Sequence, residues 1–298
     1  MSHIGEVPLN GAKGQTAAQN DYLAQYRRDG YAVVRGVFGP ADVAALAEAF
    51  DRIYTQGLRH HASFRDRNVF FQVAPDPKLG RILRFVQWPA YFDPVLARYR
   101  TDPRLLAIVA PLIGRDLKQI INQMHWKPPG AAKVDFGYHQ DFHFRRPTEA
   151  YRNAGDSFIQ TMIAVDPQGP RNGGLTVYPG SHLLGPLQFP ERGRIMDADM
   201  SEADLHALGL DPGKLVHLDL EPGDVAFWHL CTIHGSGANT APIDRRAYLN
   251  GYVTAANCDR GEWAWKQGEP CELGEPVLVH YEALHTQPGP FYLEPPRD

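Results

Sequence analysis

The chain has 298 residues, of which 43% are hydrophobic and 21% charged, and its formal net charge is -4 at pH 7. A weakly acidic chain gives no electrostatic reason to bind nucleic acid or an anionic membrane. No apolar run approaches the roughly 20 residues of a membrane-spanning helix, and the first residues contain no apolar core of a secretory signal. Cys231, Cys258 and Cys271 are odd in number and lack CxxC spacing, so we expect no disulfide framework and a cytoplasmic location.

The N-terminal third, about residues 17–116, is predicted to be helical with one strand. Apolar residues recur at helical spacing in TAAQNDYLAQYRRDG, which ends at Gly30, and the β-branched strand YAVVRGVF follows. A second helix is predicted over GPADVAALAEAFDRIYTQGL, with Pro40 in its first turn. A third is predicted over DPRLLAIVAPLIG, where Asp102 caps the start and Gly114 ends the helix.

From about residue 117 to residue 256, short β-like runs recur between Gly, Pro and Asn residues, which is typical of a sandwich or barrel. These runs are LKQIINQMHWK, FGYHQDFHF, SFIQTMIAV, GGLTVYP, KLVHLDL, DVAFWHL and RAYLNGYVTA. An insertion at residues 183–213, with a short helix led by Ser201, interrupts this core and has the length of a lid or binding loop. Residues 257–298 are expected to form an extended tail, and residues 1–298 to form one domain.

A metal site is indicated on the predicted strand FGYHQDFHF. Residues i and i+2 of a strand point to the same face, so His139 and Asp141 can converge on one ion. His234, in the segment HGSGAN, is the candidate for a third ligand. Two histidines and one carboxylate on one face of an octahedron leave three adjacent positions open, as non-haem Fe(II) oxygenases require. The HxD pair is a weak signal by itself.

Arg245 follows His234 by eleven residues, on the next predicted strand. If that strand runs antiparallel to the strand of His234, the guanidinium returns towards the metal, where its fork of N–H donors suits a carboxylate. A metal with open positions and a guanidinium nearby describes a site for 2-oxoglutarate. Arg246 points to the opposite face, and a shift of one residue in register would exchange the roles of the two arginines.

Five segments between roughly Tyr22 and Tyr252 occur together in one order: RRDGYAVVRGVF, KPPG, YHQDFHF, NGGLTVYPGSH and EPGDVAFWHLCTIHGSGANTAPIDRRA. In these segments and their order the chain resembles the phytanoyl-CoA dioxygenase family of Fe(II)/2-oxoglutarate oxygenases, which also includes ectoine hydroxylase.

This resemblance implies a mainly β fold with flanking helices around a double-stranded β-helix core, the cupin-like jelly-roll. It also implies Fe(II), 2-oxoglutarate and O2 as cofactor and co-substrates. The residues that match the family's site are His139, Asp141 and His234 for iron, and Arg245, Ser236, Gln123 and Met162 for the keto acid. An intact Asp141 implies hydroxylation and not halogenation, because related halogenases replace this carboxylate with a small residue.

Several alternatives stay open at this point. His229 lies five residues before His234 and is interpreted as a packed strand-edge residue. His143 shares the predicted strand face of Asp141, but three same-face residues span about 13 Å, too far for one small ion. His143 is therefore assigned to substrate or to packing. The same three ligands could hold redox-inert Zn(II) acting on bound water, or the chain could be a non-catalytic ligand-binding protein on the same barrel.

The expected substrate is a small-molecule metabolite, oxidised at an unactivated C–H bond with release of succinate and CO2. Lys127 in KPPG is expected to be solvated and Trp228 to be a core residue, while Arg192 and Arg194 weakly indicate an anionic substrate. The text DFHFRR after the HxD pair differs from that of ectoine hydroxylases and argues against ectoine. No oligomeric state is predicted. Tentative substrate contacts on strand faces near the triad are His125, Tyr138, His143, Gln160 and Asn250.

Overall fold

The computed structural model describes residues 12–66, 68–132, 134–145, 148–187 and 201–274. Arg192 and Arg194 therefore lie outside the described residues. Helices in the described ranges are concentrated in the N-terminal third. They are α1 (Ala12–Asp29), α2 (Pro40–Gly57), α3 (Pro94–Arg100), α4 (Pro103–Ile113), α5 (Ala154–Ser157) and α6 (Glu202–Ala207).

The three helices predicted in the N-terminal third are confirmed as α1, α2 and α4. Pro40 is the first residue of α2, where the lack of an N–H costs no hydrogen bond because the N–H groups of the first turn have no partner within the helix. Asp102 accepts a backbone hydrogen bond in the first turn of α4, and that helix ends at Gly114, whose φ is 87°. The predicted α6 follows Ser201, whose hydroxyl accepts a hydrogen bond from the backbone of Asp204. Among the described helices, none combines the length and apolarity that crossing a membrane requires.

The strands of the described residues all pair in antiparallel fashion. They are β1 (Tyr31–Val34), β2 (Phe64–Asp66), β3 (Val69–Asp76), β4 (Gly80–Gln87), β5 (Leu117–Lys127), β6 (Phe136–His139), β7 (Phe158–Ala164), β8 (Leu175–Val177), β9 (Val216–His217), β10 (Val225–His229), β11 (His234–Ser236), β12 (Arg245–Thr254), β13 (Glu262–Lys266) and β14 (Glu269–Pro270).

The prediction of a single strand within residues 17–116 is wrong, because β2, β3 and β4 also lie there. Strands β3 and β4 form a hairpin whose turn is organised by Asp76. Its carboxylate accepts hydrogen bonds from the backbone of Lys78 and Leu79, each at 2.9 Å, and Gly80 adopts a φ of 76°. The aromatic and β-branched residues of NVFFQV and RILRFV were the available signal for these strands.

The strands form two sheets. The larger sheet has the order β1-β10-β7-β12-β5-β4-β3-β2, and the smaller has the order β6-β11-β8-β9. This is the double-stranded β-helix that the resemblance implies, so the predicted fold class is confirmed. Strand β13 pairs with β14 and with the start of β5. Strand β4 pairs with the same edge of β5, further along that strand. The predicted tail therefore begins as a hairpin, and residues 275–298 lie outside the described residues.

Both faces of the larger sheet are buried. Met124 and Trp126 of β5 face the helices and share a core with Phe50 of α2. Met162 of β7 and Trp228 of β10 face the smaller sheet and share a second core with residues of β8. Because side chains alternate along a strand, a shift of one position decides whether a residue faces the helices or the space between the sheets.

Candidate active site

His139 and His234 face each other across two neighbouring strands of the smaller sheet. His139 is the last residue of β6 and lies opposite His234, the first residue of β11, with ring centroids 4.3 Å apart. Asp141 carboxylate oxygens lie 4.0 Å from Nε2 of His139 and 3.8 Å from Nε2 of His234. One possible ligand atom from each residue lies within 4.8 Å of the other two. The structure thus brings together the three residues that the sequence selected as metal ligands.

Asp141 reaches this position from a turn and not from a strand. Strand β6 ends at His139, and Asp141 begins a 3-10 helix over Asp141–Phe144. The expected cause of the convergence, a shared strand face, is therefore wrong. The same turn removes His143 from the predicted strand, and its ring lies edge-on to that of Phe144 at 5.2 Å.

Both imidazoles are oriented by backbone carbonyls. Nδ1 of His139 donates to the carbonyl of Gly137 at 2.8 Å, and Nδ1 of His234 donates to that of Thr232 at 2.9 Å. Each Nε2 therefore keeps its lone pair for a metal. Burial, together with the nearby His139, lowers the pKa of His234 to about 4, so this imidazole is neutral at pH 7. Two imidazoles and one carboxylate fit Fe(II).

A β-bulge sets which side chains of β6 face the interior. His139 pairs with His234, but Phe136 pairs with Ser236, so β6 holds one residue more than β11 between these two pairs. His139 and Phe136 both point between the sheets as a result. Tyr138 packs instead against the outer cluster that includes Leu205 of α6, so the structure does not bring this tentative substrate residue to the metal ligands.

Arg245 and Lys127 lie directly opposite each other on β12 and β5. Their exposed fractions are only 2% and 1%. Within the described part of the chain, no carboxylate lies at ion-pair distance from either side chain. Like charges directly opposite in a sheet repel each other, and buried charges require a partner. These two cations therefore form a site for an anion.

Lys127 is a site residue that the sequence analysis missed. Its Nζ donates to Oγ of Ser236 at 2.7 Å and to the carbonyl of Gly237 at 2.6 Å. The expectation of a solvated lysine is wrong, because this side chain crosses the space between the two sheets. Burial and the charge of Arg245 lower the pKa of Lys127. Gln123, His125 and Lys127 are spaced two residues apart along β5 and therefore share one face of the strand. This spacing was the sequence signal that could have placed Lys127 inside.

Arg245 reaches the interior from the sheet opposite the histidines. Its strand is not paired with that of His234, because β11 belongs to the smaller sheet and β12 to the larger. Nε of Arg245 donates to Oε1 of Gln168 at 3.0 Å, and its Nη2 lies 3.5 Å from Sδ of Met162. Burial lowers the pKa of Arg245 to about 10, which leaves it charged at neutral pH.

Arg246 points to the opposite face of β12, towards the helices. Its Nε and Nη2 each donate to the carboxylate of Asp166 at 2.8 Å, and Nη1 donates to Asp51 at 3.1 Å. The register Arg245 to Lys127 is fixed by the pairing of β12 with β5. The alternative in which a slipped register exchanges the two arginines is therefore excluded.

Gln123 and Met162 lie in one row across the larger sheet, because both pair with Leu249 of β12. Nε2 of His125 donates to Oε1 of Gln123 at 3.0 Å. Burial, followed by the charge of Arg245, lowers the pKa of His125 well below its ordinary value, so that this imidazole is neutral. These side chains form a largely uncharged wall beside the two cations.

Gln160 and Asn250, two further tentative substrate contacts, lie on opposite faces of the larger sheet. Gln160 pairs with Trp228 and shares its interior face. Asn250 accepts hydrogen bonds from Gln119 at 2.7 Å and Asn122 at 2.9 Å in the layer that faces the helices. The structure therefore places Gln160 beside Trp228, which contacts Asp141, and places Asn250 in the other layer.

Trp228 is a core residue, as predicted, but it also contacts two of the proposed ligands. Its Nε1 donates to Oδ2 of Asp141 at 3.0 Å, and its ring centroid lies 5.0 Å from that of His234. His229, the next residue of β10, accepts a hydrogen bond from the backbone of Cys231 at 3.0 Å. His229 is not part of the triad, in agreement with its interpretation as a packed residue.

The jelly-roll, its His-Asp-His triad and the anion site facing that triad define the class of non-haem Fe(II)/2-oxoglutarate oxygenases. The family model described as phytanoyl-CoA dioxygenase (PhyH) matches residues 26–247. The chain belongs to this family.

Relatives of known name agree with this assignment. The chain is 26% identical over 241 residues to a probable alpha-ketoglutarate-dependent hypophosphite dioxygenase of Stutzerimonas stutzeri, with 78% of this chain and 77% of that protein covered. It is 28% identical over 243 residues to the peroxisomal phytanoyl-CoA dioxygenase of Bos taurus, with coverage of 78% and 67%. Among solved structures, it is similar to SnoN, a non-haem alpha-ketoglutarate-dependent epimerase from nogalamycin biosynthesis, with 25% identity, a TM-score of 0.58 and coverage of 87% and 97%. The chain is a dioxygenase that uses Fe(II), 2-oxoglutarate and O2.

Proposed function

We propose that this dioxygenase hydroxylates an unactivated C–H bond of a small-molecule metabolite and releases succinate and CO2. The proposal rests chiefly on one observation, the pair of buried cations Lys127 and Arg245 in the interior that the triad also faces. A dicarboxylate that binds the metal at one end and these cations at the other satisfies both halves of the site. 2-Oxoglutarate has that chemistry.

The protein's own residues divide the work of binding. His139, Asp141 and His234 would hold Fe(II) and leave one face of its octahedron open. Arg245 and Lys127 would hold the distal carboxylate of 2-oxoglutarate, since the guanidinium fork matches a carboxylate and a bound anion relieves their repulsion. Fe(II) with 2-oxoglutarate supplies the oxidising power that activates O2 towards a C–H bond.

Other side chains would line and close the keto-acid pocket. Met162 and Ser236 contact the two cations, and Gln123 with His125 forms the adjoining wall. A dry pocket strengthens the attraction between the cations and the bound carboxylate. Of the tentative substrate contacts, Gln160 has the best support, since it lies beside Trp228 on the interior face.

Hydroxylation is supported by the carboxylate of Asp141, which occupies the third ligand position. The named substrates of the two relatives, hypophosphite and phytanoyl-CoA, support a small molecule as substrate. Neither alternative function, a redox-inert Zn(II) enzyme or a non-catalytic binding protein, explains why two buried cations lie beside the triad. A cytoplasmic location stays a prediction.

Anaerobic addition of Fe(II) and 2-oxoglutarate tests the proposal directly. We expect a visible charge-transfer band, and succinate formation once O2 is admitted. A metabolite library screened for substrate-dependent succinate, followed by mass spectrometry of the product, then tests for addition of one oxygen atom. Absence of the band in folded, metal-loaded protein would reject the cofactor assignment, whereas a desaturated or cyclised product would reject hydroxylation alone.

Asp141→Asn and Asp244→Asn form a matched pair for this experiment. Both aspartates accept a hydrogen bond from an indole, Asp141 from Trp228 at 3.0 Å and Asp244 from Trp126 at 2.8 Å. We expect Asp141→Asn to lose the charge-transfer band, because only this carboxylate lies in the triad, and Asp244→Asn to retain it. Equal loss in the two variants would contradict the assignment of Asp141.

A further inference from the structure

The triad's carboxylate is positioned differently from its two histidines. His139 and His234 are fixed by the pairing of β6 with β11 and by hydrogen bonds to backbone carbonyls. Asp141 lies beyond the end of β6, in a 3-10 helix, where no strand partner sets its side chain. Its orientation therefore needs another cause.

The Trp228 indole supplies that cause. Its Nε1 donates to Oδ2 of Asp141 at 3.0 Å, and within the described residues no other side chain donates a hydrogen bond to this carboxylate. Trp228 is only 2% exposed and is held in β10 between β1 and β7. Its ring also lies 5.0 Å from the His234 ring. A rigid donor on the larger sheet thus fixes a ligand in the turn that follows β6.

We propose that Trp228 is a positioning residue that restricts Asp141 to one-oxygen coordination of the metal; this inference rests on the proposed function. With Oδ2 engaged by the indole, Oδ1 is left as the donor to the ion. Three single-atom ligands leave one octahedral face open, which accommodates both donor atoms of 2-oxoglutarate and O2. A carboxylate that bound through both oxygens would occupy one of those positions and exclude O2.

Trp228→Phe tests this role, with Trp126→Phe as its control. Each change keeps an aromatic ring and removes one indole-to-aspartate hydrogen bond, but only Trp228 donates to a proposed metal ligand. We expect Trp228→Phe to weaken Fe(II) binding by about tenfold, the lower end of the effect of outer-shell partners. We also expect it to change the visible spectrum of the Co(II)-loaded protein, which reports the number of donor atoms. Trp126→Phe should stay within about twofold of the unaltered protein, the usual limit for a remote site.

A second variant separates the hydrogen bond from packing. Replacement of Trp228 by 3-benzothienylalanine keeps the shape of the side chain and lacks the N–H, so it carries the test if Trp228→Phe does not fold. The same affinity loss and Co(II) spectral change are expected. Fe(II) affinity and a Co(II) spectrum equal to those of the unaltered protein would overturn the inference. Failure of the proposed function is distinguishable, because it would abolish the 2-oxoglutarate charge-transfer band in the unaltered protein.

Discussion

Arg245 and Arg246 are neighbours in sequence, yet they belong to regions of opposite character. Arg246 lies on the helix-facing side of β12, where both of its terminal nitrogens and its Nε reach carboxylates of Asp166 and Asp51. Arg245 lies on the inter-sheet side, where its contacts are Gln168 and Met162 and its cross-strand neighbour is another cation.

The difference shows that one face of a strand can stabilise the fold while its other face binds a ligand. A half-buried arginine with its own carboxylates contributes to stability, because the folded chain satisfies its charge. A buried arginine without one is costly until an anion arrives. Alternation along β12 assigns these roles to consecutive residues, and substitution of each arginine should affect a different measurement.

Arg245→Gln is expected to have the largest effect. We predict that its Kd for 2-oxoglutarate rises about 100-fold, since truncating one partner of a buried charge pair costs roughly 2–5 kcal/mol and each 1.4 kcal/mol is a factor of ten. Titration of the charge-transfer band of the Fe(II)-loaded protein measures this. The affinity for Fe(II) itself should not change, because Arg245 lies in the sheet opposite the histidines.

Arg246→Gln is the matched control for that variant. Its 2-oxoglutarate Kd should stay within about twofold of the unaltered protein, because its guanidinium faces the helices. A comparable loss of affinity in both variants would mean that the two faces of β12 are not independent.

Arg246→Gln should instead lower stability. We predict a loss of about 2 kcal/mol in the free energy of unfolding, between the values for exposed and buried ion pairs. The Asp166 carboxylate loses the two hydrogen bonds from the guanidinium and keeps the one from the backbone N–H of residue 246. Urea denaturation of the metal-free protein measures this loss. Arg245→Gln should not be destabilised in the same assay, and a larger loss there would show that Arg245 serves the fold.

The sequence was sufficient for the ligand set and for the fold class, but for unequal reasons. The match to a known family identified His139, Asp141 and His234 together, whereas the strand-face argument for the HxD pair assumed a strand that ends at His139. Main helices were predictable from local caps such as Asp102, because those interactions lie within a few residues.

Local sequence patterns of this kind could not predict the contacts between the two sheets. The roles of Lys127 and Trp228 depend on residues more than eighty positions away: Ser236 in the opposite sheet and Asp141 in the turn that follows β6. A lysine in KPPG appears solvated by composition, and only the pairing of β5 with β12 places it beside Arg245. The pairing of strands that are distant in sequence, which a single sequence does not specify, therefore determines the anion-binding half of the site.

Lys127→Met removes the second cation of the anion site. We expect the Kd for 2-oxoglutarate to rise about tenfold, the loss of one charge-assisted hydrogen bond of roughly 1.5 kcal/mol. Stability of the metal-free protein at neutral pH should hold or rise, since a buried cation is replaced by an apolar side chain of similar size. A fall in both quantities would assign Lys127 a structural role.

The pH dependence of stability gives the same variant a second test. The folded-state pKa of Lys127 is lowered by burial, so between that pKa and the ordinary value near 10.4 the unfolded chain binds more protons. Stability of the metal-free protein should therefore rise with pH across that window. Lys127→Met should lose this rise, whereas Lys118→Met, at the other end of β5 where its Nζ donates to the carbonyl of Cys258 at 2.8 Å, should keep it. Denaturation midpoints measured from neutral to alkaline pH check the slope.

Ser236→Ala should have the smallest effect on 2-oxoglutarate affinity. It tests whether Ser236 acts only by holding Lys127. The Ser236 hydroxyl accepts a hydrogen bond from Lys127 at 2.7 Å, and Lys127 keeps the carbonyl of Gly237 when that hydroxyl is removed. We predict a rise of about threefold in the 2-oxoglutarate Kd, near the lower limit for one hydrogen bond of about 0.5–1.5 kcal/mol. In a Lys127→Met background the same change should have no effect if Ser236 acts only by holding the ammonium. A further loss there would mean that its hydroxyl contacts 2-oxoglutarate directly, so this double-mutant cycle separates the two roles.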